Sequence, residues 1–180
     1  SERLKEALER ECDNPERPNN SLEARTLLLM LRLNLALAQK QPENRVAIWQ
    51  EFSEVLALAK PLGEFDADRL VNLIEVVGPT ASDEPAYAAL VEQVADFVGE
   101  RKGEAEGAVI LLNRAKQLDF DQRFEMIRLL GKAIRKLSKK EYSDELVTAL
   151  QHLSLAYRSA GLLWAARASA IFACGTITVK

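Results

Sequence analysis

The chain has very little of what a metal centre, a redox site or a nucleotide pocket needs. His152 is its only histidine, so no second imidazole is present to share a metal, and no Ser or Cys arrangement stands ready for it to serve. The two cysteines, Cys12 and Cys174, lie at opposite ends without CxxC spacing, which argues against a disulfide framework and makes a reducing, cytoplasmic compartment the expectation. Neither GxGxxG nor GxxxxGK[ST] occurs, so there is no glycine loop to cradle a phosphate. No cofactor, metal or enzymatic activity is expected. The richest apolar run, residues 27–38, is 12 residues long and broken by Arg32 and Asn34. A membrane span needs about 20 residues, so no membrane partner is expected either.

What is present points to helix. Gly (8) and Pro (6) are few among 180 residues, and Ala, Leu, Glu, Arg and Lys dominate, so the expected class is all-α. Residues 1–20 read as a short amphipathic helix followed by a linker with two prolines, and 21–180 as a helical-repeat domain. Ser21 is the expected N-cap of a long apolar helix, and Pro42 opens the next at a first-turn position. A helix that is apolar almost all round must be covered on several sides. Residues 1–11, chain upstream of Ser1 or a second copy could each provide that cover. Asp66 caps a third helix that Gly78-Pro79 stops, and Ser82 begins a fourth that stops at Gly99-Glu100-Arg101-Lys102-Gly103. Asp119 with Gln122, and Ser138 with Glu141, have capping-box spacing, and Gly161 hinges the last pair. Trp49 and Trp164 lie among apolar neighbours and read as packing residues. The chain begins at Ser1 and stops at Lys180 directly after a helix, so it reads as a piece of a longer protein.

The pairs are thus expected at about 21–61, 66–102, 104–138 and 139–175, with hinges near residues 41, 81, 119 and 161. Their spacing of roughly 40 residues lies within the range of helical repeat arrays. A compact multi-helix bundle is the alternative. In the last pair Leu153, Tyr157, Gly161, Ala166 and Ala173 stand at the offsets of the tetratricopeptide repeat, which this stretch resembles. Ser154 stands where that family usually has Gly, and the earlier pairs share only the architecture. The resemblance implies a right-handed α-solenoid of about four antiparallel pairs, in which the first helix of each pair lines a concave face. On that face it places Gln151, Leu155, Arg158 and Ser159 of the last pair, and Asn113, Lys116 and Gln117 of the third. Amides and basic groups there suit an extended or helical peptide carrying carboxylates.

Charge is unevenly distributed beneath the net value of −3. Arg128, Lys132, Arg135 and Lys139 fall on one side of a helix and form a basic stripe, with no aromatic residue expected to interleave it. Three readings follow. The first is a non-catalytic scaffold that binds a protein, a peptide or another domain of its parent, or pairs with a second copy through exposed terminal helices. The second is the helical sensor region of a larger signalling ATPase. The third and weakest is nucleic-acid binding through the stripe, which the acidic pI of about 5.4 disfavours.

Overall fold

Helix propensity and apolar periodicity agree along this chain, and the outcome follows from that agreement. A computed structural model describes residues 2–12, 18–39, 42–62, 68–81, 84–137 and 142–178, and every regular element among them is helical. In order these are α1 (Glu2–Cys12), α2 (Pro18–Ala38), α3 (Pro42–Ala59), α4 (Asp68–Ala81), α5 (Pro85–Lys102), α6 (Glu104–Gln117), a 3-10 turn (Phe120–Gln122), α7 (Arg123–Lys136), α8 (Ser143–Ser159) and α9 (Leu163–Thr178). The chain is all-α. No helix among the described residues is long and apolar enough to cross a membrane. The chain divides into two compact units: Ser1–Val77 with Asp83–Val94, and Gly78–Ser82 with Ala95–Lys180.

In the first unit α2 packs against both α1 and α3. Its nearly continuous apolar surface is therefore covered on two sides, and the Ser21 hydroxyl donates to the Cys12 carbonyl at the end of α1. Leu27, Leu31 and Leu35 remain as a partly exposed stripe at i, i+4 and i+8. The core centres on Trp49, which is 0% exposed and packs against Phe52 and Tyr87 at centroid distances of 6.1 and 5.2 Å. Burying an indole requires a partner for its N–H. Glu84 supplies it: Trp49 Nε1 donates to Glu84 Oε2 at 2.6 Å, and Arg45 Nη2 pairs with Glu84 Oε1 at 3.0 Å. The Tyr87 hydroxyl donates to the Ile74 carbonyl at 2.7 Å.

In the second unit α6 packs on α7, α7 on α8 and α8 on α9, and α6 also touches α8. Gly107 lets α6 lie close to α5, since a Cβ there would come within 2.2 Å of the Ala95 carbonyl oxygen. At the end of α8 the Leu162 N–H bonds to the Tyr157 carbonyl and the Gly161 N–H to the Arg158 carbonyl. These two bonds make a Schellman motif, and the φ of +76° at Gly161 is the left-handed conformation that motif demands. The turn brings α9 back over α8, where Ala166, Ser169 and Ala173 form the buried face of α9 and Leu153 and Ala156 are buried on α8.

Several boundaries differ from expectation. Helix α2 starts at Pro18, whose fixed φ suits a first helical position, so Ser21 lies inside the helix rather than at its cap. Helix α4 continues through Gly78-Pro79 to the buried Ala81; a proline near a helix end removes one backbone bond and burial holds the last turn. Helix α5, by contrast, ends at Lys102 within the expected stop, and the break comes at Gly103, where φ is 130°. Asp119 makes no side-chain cap; instead its carbonyl accepts from the Gln122 N–H at 2.9 Å, which winds the 3-10 turn. Residues 13–17 of the expected linker, the caps at Asp66 and Ser82, the Ser138/Glu141 box and Lys139 lie outside the described residues.

Candidate partner-binding face

One hydrogen bond and one electrostatic neighbour bear on how α6 and α8 are placed. Tyr142, just before α8, donates its hydroxyl to Glu106 Oε1 in the first turn of α6 at 2.7 Å. Lys116, in the last turn of α6, lies close enough to His152 to act on its protonation. The helices therefore run side by side in the same direction. This alignment sums their end effects: acids sit in both first turns (Glu104 and Glu106; Asp144 and Glu145) and bases in both last turns (Arg114 and Lys116; Arg158). Each sign offsets the helix dipole at its own end. Among these, Glu104 and Asp144 are exposed at the acidic ends and Lys116 and Arg158 at the basic ends.

The residues picked from the sequence lie on α6 and α8. Lys116, Gln151, Leu155, Arg158 and Ser159 are exposed, and Asn113 and Gln117 are half-buried. The Ser159 hydroxyl donates to the Ala156 carbonyl at 2.9 Å, which leaves its oxygen as an acceptor. Arg114 differs from its neighbours in being buried, at 3% exposed. His152 is half-buried between the helices; burial first, and the Lys116 ammonium second, push its pKa below the usual value of 6.5. Sequence reading found no partner arrangement for His152 and gave no sign that Tyr142 and Glu106 join α8 to α6. That link joins distant parts of the chain, and no local spacing encodes it.

The basic stripe is weaker than its sequence. Arg128 Nε donates to Glu125 Oε2 at 2.6 Å one turn earlier, and neighbouring Lys136 reaches Asp96 Oδ1 at 3.4 Å. Lys132 is half-buried and Arg135 exposed on the same side of α7. No aromatic residue falls between Arg128 and Lys139, but one precedes the stripe. Phe124, 66% exposed and four residues before Arg128, continues its line, and Phe120 is exposed nearby. Phe124 avoids the interior because Met126, Leu129, Leu130 and Ala133 already fill the buried side of α7. The packing role expected of Trp164 is corrected: it is 84% exposed, because the side of α9 that fits against α8 is the one made of small residues.

Among the described residues no group of three or more His, Cys, Asp and Glu side chains is gathered that could hold a metal ion. No family model, curated protein or solved structure matches this chain.

Proposed function

We propose that the chain is a non-catalytic, tetratricopeptide-like stack of antiparallel helix pairs that holds a peptide, or a neighbouring domain of its parent protein, on the face formed by α6 and α8. The supporting observation is the side-by-side placement of these two helices, carried by the Tyr142–Glu106 hydrogen bond near their starts and by Lys116, late in α6, acting on His152 further along α8. A hairpin stack aligns the first helices of successive pairs in this way. The placement of the five repeat-like positions fits the same reading: Leu153, Ala166 and Ala173 are buried, Tyr157 is half-buried and Gly161 makes the turn. The exposed acids at one end and bases at the other give the face a direction, so an extended ligand would lie with its acidic part toward Lys116 and Arg158. A pre-folded face loses little entropy on binding, which favours affinity from a short segment.

The test is selection of ligands from a displayed random-peptide library, followed by titration of the enriched peptides. Acidic peptides are expected, and Lys116→Glu with Arg158→Glu should weaken them by at least about tenfold while helicity is unchanged. Enrichment of nothing, or of peptides indifferent to this double change, contradicts the proposal.

A further inference from the structure

Helix α9 turns its small residues inward and its large ones outward. Leu162, Leu163, Trp164, Ile171, Phe172 and Ile177, on or beside this helix, stand 47 to 84% exposed. Its only charged residue is Arg167. A large aromatic side chain alone carries about 150–250 Å², so these six expose several hundred Å² of apolar surface. That is the scale of the roughly 800 Å² each partner contributes to a standard interface.

The pattern within this surface says what fits it. Trp164, Ala168, Ile171 and Gly175 follow spacings of four, three and four residues, the narrow seam that one straight helix offers another. Along the seam, size runs large, small, large, small. When two such helices pair antiparallel about a point between Ser169 and Ala170, position 164 meets 175 and position 168 meets 171. Every large residue then faces a small one. Gly175 leaves an open seat, since even an added Cβ would meet nothing within 4 Å in the protomer. Arg167, flanking the seam away from its centre, is not brought against its own copy. A surface complementary to itself under a two-fold rotation is what an isologous dimer needs.

We propose that α9 is a homodimerisation helix: a second copy packs antiparallel on it, with Trp164 seated over Gly175 of the second copy and Ile171 over its Ala168. This surface is separate from the α6/α8 face, and neither assignment depends on the other.

Sedimentation velocity of the 180-residue chain across a dilution series tests it, with tryptophan emission followed in parallel. A reversible dimer is expected, and dilution should shift the emission to the red as Trp164 becomes wet while Trp49 stays buried. Ile171→Glu, at a position already 60% exposed, should raise the dissociation constant at least about thirtyfold with the circular dichroism spectrum unchanged. Gly175→Leu should also weaken the dimer, although leucine is the better helix former. Ile171→Ala alone should weaken it, and adding Ala168→Ile should restore it, because the swap preserves the large-to-small pairing. A monomer at every concentration overturns the proposal. So does a dimer that ignores Ile171→Glu and Gly175→Leu, or one broken instead by Leu31→Glu and Leu35→Glu on α2.

Discussion

Helices α8 and α9 belong to one hairpin and share one seam, yet their outer sides differ in kind. On α8 the exposed residues include Gln151, Arg158 and Ser159; on α9 they include Trp164, Ile171 and Phe172. Hydrophobicity alone would have turned α9 the other way round. What decided its orientation was fit. Ala166, Ser169 and Ala173 are small enough to bring its backbone close to α8, and the Ser154 hydroxyl reaches across to the Ala166 carbonyl at 2.8 Å. Close packing of small residues gains dispersion contacts along the whole helix, which a tryptophan at the seam would have forfeited by holding the helices apart. The two tryptophans mark the same contrast. Trp49 is buried because its neighbours provide rings on its faces and a carboxylate on its N–H, whereas Trp164 lies outside such a setting.

The largest effect should come from deepening that contrast. Trp49→Ala should cost about 3–5 kcal/mol of stability, whereas Trp164→Ala should change unfolding of the dilute protein by no more than about 0.5 kcal/mol. Urea melts of the two variants at matched low concentration make the comparison. Next in size is the seam. Ala166→Leu makes the inner side of α9 more apolar and should still destabilise by about 1–3 kcal/mol, because the added volume forces α8 and α9 apart. A gain in melting temperature for that variant would show that fit does not set the orientation. Gly161→Ala should cost about 1 kcal/mol, since alanine is strained at positive φ, and the same melts would report it.

The smallest effect concerns pH. Burial, then Lys116, lowers the pKa of His152, so the folded state favours the neutral imidazole. The unfolded chain therefore binds more protons in the window below 6.5, and the stability tied to the neutral ring is complete above that value and lost as pH falls through the folded pKa. Unfolding midpoints measured at neutral and mildly acidic pH should draw apart slightly less in His152→Gln than in the parent. An equal or larger separation in the variant would show that His152 does not contribute this dependence.

The helical class and several helix limits were legible because they depend on local signals. Pro42 opening α3, the Gly161 turn and the run of α6 up to Gln117 are each set by residues within a few positions. One stop was harder. Gly78-Pro79 has the composition of a helix end, but it lies within a helix that continues to Ala81. Of the residues the repeat-like offsets assigned to a concave face, Lys116, Leu155 and Arg158 are exposed, and Asn113 and Gln117 are half-buried. The exposure of Trp164 and Phe124 was not legible, because whether a large apolar residue is buried depends on what the neighbouring helix can accommodate. A single helix's periodicity does not contain that information.

The account depends on α6 and α8 lying side by side and pointing the same way. Distances between paired spin labels in a variant without native cysteines address this directly. One pair joins positions 116 and 151, the other 106 and 151. Ten residues of helix span about 15 Å, so the account predicts a clearly shorter distance for 116 to 151 than for 106 to 151. Equal distances, or the reverse order, would contradict it.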